Sequence, residues 1–280
     1  ASHCGERLAS RDACGTMLPM SLSNLLSPRM PDFIGIGAMR SGTSWLRRNL
    51  NRHGEIWMAE PKELHFFDRH FGERKRAWLP LQHEAQVRYG ESFVAAPRGR
   101  SVGEFTPAYA VLDRDVIAKV RSWMPAVKLL FIMRDPVERA WSHARKDFDK
   151  YWAKDGVTLE EATLDDLKPF FSSLDVAKRG DYLACLTAWL EYFPQEQIWT
   201  GFMEDVAGGS EASVLRSVFE FLGVDPAIGI DEQEAKKVVN PRPSVPKPDG
   251  LVPYLQDLLY GQNEGLAALL DREIPWSQSV

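Results

Sequence analysis

Short apolar runs recur along this chain, separated by stretches of helical periodicity. Phe33-Ile-Gly-Ile-Gly37, just after Pro31, reads as a strand buried on both faces, as does Lys128-Leu-Leu-Phe-Ile-Met133. Ile198–Phe202 and Val102–Phe105, the latter ended by Thr106-Pro107, predict two more strands. Ile56–Ala59 and Leu64–Phe67 flank a bend at Pro61-Lys62-Glu63. Helical spacing marks Ser44–Arg52 through Trp45, Leu46 and Leu50, then Arg74–Phe93, Asp113–Met124 and Val137–Tyr151. It resumes at Asp181–Phe193, Ser213–Leu222 and Leu251–Leu270, while the acidic residues 154–178 predict a helix with a mobile loop. Pro241, Pro243, Pro246 and Pro248 make Asn240–Gly250 an extended loop. Strands alternating with helices imply a parallel α/β sheet covered on both faces, with ligands at the carboxyl ends of its strands.

The 280 residues suit one large α/β domain or two small ones, and 44% hydrophobic content suffices for a sizeable core. Residues 1–30 lack the apolar core of a signal peptide and are expected to be disordered or partly foreign to the natural chain, with Met17, Met20 and Met30 as alternative starts. The fold is therefore expected in residues 31–280. A formal net charge of −5 argues against a general nucleic-acid binder. Residues 40–100 nevertheless carry twelve Lys/Arg against seven Asp/Glu, which fits either an anion site or a solvated basic surface. Cys4, Cys14 and Cys185 form no disulfide framework or metal-ligand spacing and suit a reducing, cytoplasmic compartment. No apolar run approaches the ~18 residues of a membrane span, so no membrane partner is expected.

Two loops carry the chemistry. Gly37-Ala-Met-Arg-Ser-Gly-Thr-Ser44 nearly fits the nucleotide P-loop, and Gly37 and Gly42 are spaced to let backbone N–H groups curl around an anion. Thr43 stands where that loop has its lysine, and the cation lies inside the loop at Arg40. No apolar strand ends in a lone Asp suited to magnesium, so the loop fits a phosphosulfate better than ATP, although a simple glycine turn also accounts for it. After the strand at 128–133 comes Arg134-Asp-Pro-Val-Glu-Arg-Ala-Trp-Ser142. Asp135 is a natural N-cap and Pro136 suits the first helical turn. Ser142 falls about two turns later, so it can face Arg134 and help bind a terminal phosphate. Arg134 alone also fits an ion pair with Asp135 or Glu138. Two anion subsites would serve a nucleotide phosphorylated at both ends of its ribose.

At these residues the chain resembles the sulfotransferases that use 3′-phosphoadenosine 5′-phosphosulfate (PAPS). Arg40-Ser-Gly-Thr-Ser-Trp-Leu46 looks like their 5′-phosphosulfate loop, and Leu129–Ser142 like their 3′-phosphate motif. Lys62-Glu-Leu-His-Phe-Phe-Asp68 is similar to a segment of the heparan-sulfate branch, especially the glucosaminyl 3-O-sulfotransferases. The resemblance spans roughly residues 32–205. It implies a P-loop or Rossmann-like parallel sheet flanked by helices, PAPS as donor, its desulfated product PAP, and no metal. Arg40, Ser41, Gly42, Thr43, Ser44 and Trp45 would bind the donor with Arg134 and Ser142. Tyr182 would touch the adenine and Arg242 would lie in a C-terminal donor loop. Glu63 would be the general base, with Arg40 stabilising the leaving group and His65 and Asp68 orienting the acceptor or sharing the proton.

A carboxylate beside Leu64, Phe66 and Phe67 is expected to be desolvated, which suits a base. Trp57, Phe66, Phe67, Trp78, Tyr109 and Trp152 are candidates for an acceptor pocket or for core. In the heparan-sulfate branch a lysine precedes the Ser-Pro-x-Tyr segment, whereas here Glu104 and Phe105 precede Thr106-Pro-Ala-Tyr109. That departure points to a bacterial or small-molecule enzyme rather than a Golgi glycan enzyme. The partners expected are PAPS and a hydroxyl- or amine-bearing acceptor. The rival readings are a P-loop kinase, which the missing loop lysine opposes, and a binding protein without catalysis.

Overall fold

The apolar runs fold as strands β1 (Phe33–Gly37), β2 (Ile56–Met58), β3 (Ser101–Phe105), β4 (Lys128–Met133) and β5 (Ile198–Phe202). The computed structural model describes residues 29–71, 82–152, 156–237, 239 and 244–276. One sheet holds the five strands in the order β2-β3-β1-β4-β5, and every neighbouring pair is parallel.

Strand periodicity divides the core into two layers. Ile34, Ile36, Leu129, Phe131 and Met133 pack on one face with Ile117, Val120 and Trp189, while Phe33, Leu130 and Ile132 face Leu46, Leu215 and Phe219 on the other. Each fully buried Leu, Ile or Phe contributes roughly 1.5–3 kcal/mol, so the runs that predict strands also supply the driving force that stacks helices over them. Phe33 pairs in register with Gly103, and Gly35 with Phe105. Each ring fills the space a Cβ on its partner would need, at 2.2 Å in both cases, which locks β1 against β3.

From β1 the chain runs outward to β2 and β3, then returns across β1 to β4. The winding thus changes direction between β1 and β4. The helix Thr43–Leu50 follows β1 and the helix Pro136–Tyr151 follows β4, so both candidate loops open at that switch point.

Several expectations are corrected. The 154–178 stretch holds two helices, Leu164–Phe171 and Leu174–Gly180, the first begun by a reciprocal Thr163–Asp166 capping box. They share a third apolar cluster with Trp141, Phe148, Leu251 and Leu255. The long C-terminal helix is two, Leu251–Leu259 and Leu266–Leu270, divided at Gly261 and Gly265, the latter at φ 93°. Leu64 and His65 lead irregularly into the short helix Phe66–His70. Of Arg74–Phe93, the helix Gln82–Glu91 is seen, and residues 72–81 lie outside the described residues. Among the described residues no helix is long and apolar enough to cross a membrane.

Candidate active site

The loop after β1 is shaped by two left-handed residues, Arg40 at φ 71° and Gly42 at φ 86°. Only glycine adopts the second conformation at no steric cost, and a Cβ there would sit 2.4 Å from the Met203 sulfur. The curl delivers the chain to the N-terminus of the helix Thr43–Leu50, which has no capping side chain and no acidic residue in its first turn. Its first N–H groups therefore lack intrahelical partners and face the loop's concavity. Ser41 and Thr43 are both buried, but Thr43 meets the cavity that the loop lines and Ser41 does not. The Ser44 hydroxyl accepts a hydrogen bond from the Lys62 ammonium.

The loop after β4 meets it from the neighbouring strand. Asp135 caps its helix by accepting from the Val137 N–H at 2.8 Å, and its own N–H donates to Glu204 at 2.9 Å. Burial pushes both carboxyls above their ordinary range. Arg134 reaches Glu138 at 3.5 Å, which in turn holds Lys247. The Arg40 guanidinium donates to the Ser142 hydroxyl through Nε at 3.1 Å and Nη2 at 3.0 Å. One side chain thereby ties the first loop to the helix that follows the second.

Both loops line one cavity of about 1180 Å³, which also takes in Lys62, Glu63, Pro107 and Met203. Its wall carries seven Lys/Arg against four Glu, a local excess of three positive charges on a protein of net charge −5. Sites for one small molecule typically enclose roughly 300–1,000 Å³, so this cavity has room for a nucleotide and part of a second substrate.

At one edge of the cavity lies the Lys62–Asp68 turn. Glu63 and His65 both hold left-handed backbones, φ 64° and 51°. Such conformations persist in non-glycine residues where surrounding contacts enforce them, and they concentrate at functional sites. Glu63 Oε1 lies 3.4 Å from Lys62 Nζ, and its Oε2 lies 3.3 Å from His65 Nε2. The other ring nitrogen of His65 faces Asp68 Oδ2 at 2.8 Å. Glu63 is not desolvated: its side chain is 36% exposed, because Phe66 and Phe67 turn into the core instead of covering it.

The other predicted residues fall as follows. Trp45 is buried, its indole N–H donating to the Ala235 carbonyl at 2.7 Å, and it meets the cavity only along an edge. Tyr182 is wholly buried among Phe131 and Trp276, and its hydroxyl donates to the Arg134 carbonyl at 2.7 Å, supporting that loop from below without lining the cavity. Of the aromatic candidates, Phe66, Phe67 and Tyr109 belong to the core and Trp152 is exposed. Arg242 and Trp78 lie outside the described residues.

The sequence reading passed over Arg145, Lys146, Lys236 and Lys237, which join the cavity wall. Spacings of three and four from Ser142 on one helix would have found the first two. Glu104, noted in the sequence only where the heparan-sulfate branch has a lysine, is the most deeply buried carboxylate near the site, 1% exposed. Glu104 accepts from the Tyr89 hydroxyl at 2.8 Å and the Thr106 hydroxyl at 2.7 Å. Burial raises its pKa to about 7 against the pull of those donors.

A parallel α/β sheet with a glycine-turned loop, a second basic loop beside it and a carboxylate turn at their edge defines a class of α/β proteins with one cationic cleft at the sheet's switch point. The chain matches the sulfotransferase domain over residues 30–241 and belongs to that family. It is 27% identical over 201 residues to heparan sulfate glucosamine 3-O-sulfotransferase 3B1 of Mus musculus, covering 71% of this chain and 47% of the relative. It is 28% identical over 212 residues to heparan sulfate glucosamine 3-O-sulfotransferase 3A1 of Homo sapiens, covering 74% and 48%. The chain thus spans about half the length of the curated relatives it matches. A sulfotransferase from Alicyclobacillus acidocaldarius shares the fold, with a TM-score of 0.67 and 24% identity, covering 88% of this chain and 98% of that one.

Proposed function

We propose that this protein transfers a sulfuryl group from PAPS to a hydroxyl or amine of an acceptor, a glycan or small-molecule alcohol. The observation that carries the reading is the pair of basic loops, joined through Arg40 and Ser142, that open into one cationic cavity beside Glu63. The residues suit the donor chemically. Free helix N–H groups, Thr43, Ser44 and Arg40 present donors and charge for a phosphosulfate, and Arg134 with Ser142 offers a second set for a 3′-phosphate. The relatives named above are described as acting on heparan sulfate glucosamine. Here Glu104 and Phe105 stand where that branch has a lysine, which favours a different acceptor. A cytoplasmic location belongs to this proposal and rests on the cysteine pattern alone.

Sulfuryl transfer forms the acceptor O–S bond, or N–S for an amine, as the S–O bond to the nucleotide's 5′-phosphate breaks. Glu63 takes the acceptor proton, and His65, spanning Glu63 and Asp68, fixes the carboxylate's direction. Arg40 and Lys62 stabilise the charge that grows on the departing phosphate. Holding donor and acceptor in line supplies the remaining advantage.

The test is transfer from labelled PAPS across a panel of hydroxyl and amine acceptors. Glu63→Gln is expected to abolish turnover, by at least 100-fold in kcat, while calorimetry finds PAP affinity unchanged. Normal turnover in that variant removes Glu63 from its role. Magnesium-dependent ATP turnover with no sulfuryl transfer would favour the kinase reading.

A further inference from the structure

Behind the Glu63–His65 turn two hydroxyl groups hold the main chain. The His65 N–H donates to Thr106 Oγ1 at 3.4 Å, and the Phe66 and Phe67 N–H groups donate to the Tyr109 hydroxyl at 2.9 and 3.5 Å. Thr106 is itself fixed, because its hydroxyl proton is committed to Glu104 Oε2. Tyr89, from the helix Gln82–Glu91, commits its proton to the other oxygen of the same carboxylate. Glu104, Thr106 and Tyr89 are all buried, and none of them lines the cavity. A carboxylate buried this deeply costs several kcal/mol unless donors surround it, and nothing in the sheet requires one at the end of β3.

We propose that Glu104 is a positioning residue which, through Thr106, holds the strained Glu63–His65 turn in the geometry needed for proton abstraction. The chain of contacts is short and directional. Glu104 orients the Thr106 hydroxyl so that its lone pairs face the His65 amide, and that amide sets the backbone from which the imidazole reaches Glu63 Oε2 and Asp68. Two functional residues with left-handed backbones, separated only by Leu64, need such an external hold, because the turn's own conformational preference runs against them. The inference rests on Glu63 being the base.

Thr106→Val keeps the shape and deletes the hydroxyl. It is expected to lower kcat about 10- to 100-fold while leaving the donor KM and the PAP dissociation constant within twofold. Thr106→Ser, which restores the hydroxyl, is expected to recover most of the lost rate. Tyr89→Phe, which keeps the ring packed on Phe66 and Phe67 and deletes only the hydroxyl that donates to Glu104, is expected to lower kcat in the same sense by a smaller factor, and retained PAP binding certifies that each variant is folded. Wild-type kcat in Thr106→Val overturns the inference, as does a loss that Ser does not rescue. The two readings separate cleanly. Full activity in Glu63→Gln sinks the base assignment, whereas an inactive Glu63→Gln beside a fully active Thr106→Val sinks only the positioning role.

Discussion

Glu104 places a titrating carboxyl in the core within reach of neutral pH. The groups that face it are Tyr89, Thr106, Tyr109 and, at longer range, Asp68. Its pKa rises from the ordinary 4.5 to about 7 in the folded protein, chiefly because burial penalises the charged form. Below pH 4.5 both the folded and unfolded forms hold the proton. Between 4.5 and 7 the unfolded chain releases it first, so stability falls as pH rises through this window, by about 3 kcal/mol in all. Glu104→Gln removes the titration. Urea unfolding at pH 5, 6.5 and 8 is therefore expected to show the variant gaining on the wild type as pH increases, with most of the change complete by pH 8. Parallel profiles would show that the carboxylate is compensated and titrates nowhere near neutrality.

At the scale of elements, the glycine turn between β1 and its helix is sensitive to a single methyl group. Gly42→Ala must hold φ 86° and place a Cβ 2.4 Å from the Met203 sulfur. The left-handed backbone alone costs roughly 1–2 kcal/mol, and displacing Met203 adds to it. The variant is expected to lose about 1–3 kcal/mol of stability in denaturant unfolding and to bind PAP at least tenfold more weakly, because the anion-facing N–H groups move. Unchanged affinity by calorimetry would mean that the loop's curl is not the binding device. The same elements tell what the sequence makes legible. Strands β1, β4 and β5 have the bounds their apolar runs predict, since a continuous run between polar residues has no other way to satisfy its surface. Periodicity predicts one C-terminal helix where there are two, because Leu251–Leu259 and Leu266–Leu270 keep similar apolar spacing on either side of Gly261 and Gly265. Tyr182 is expected at the adenine through resemblance alone, and nothing local in the sequence reveals that its hydroxyl donates to the Arg134 carbonyl. Glu104 gains no role from the sequence beyond a missing lysine, for a related reason. Its partners stand 15 and 2 residues away on different elements, and no local pattern announces that they meet.

Across the whole molecule, the sheet order turns two remote segments into one site. Arg40 and Ser142 are 102 residues apart, and they touch because β1 and β4 are neighbours whose carboxyl ends point the same way. A ligand with phosphates at both ends of its ribose can engage both loops at once, whereas a ligand with one phosphate engages only one. Binding to the folded state raises stability by the logarithm of saturation, about 2.7 kcal/mol at a hundredfold excess over Kd. For a chain of this size that corresponds to a rise of roughly 5–10 °C in Tm. PAP is expected to produce such a rise at concentrations where adenosine 5′-phosphate and adenosine 3′-phosphate each give a degree or two and adenosine gives none. Arg134→Ala should reduce the PAP response to that of the 5′-phosphate alone, and added salt should erode all the shifts, because the cavity's excess positive charge is screened. Were either monophosphate to match PAP in the wild type, the second loop would contribute no phosphate contact, and the cavity would be a one-ended anion site with its other cations free for the acceptor.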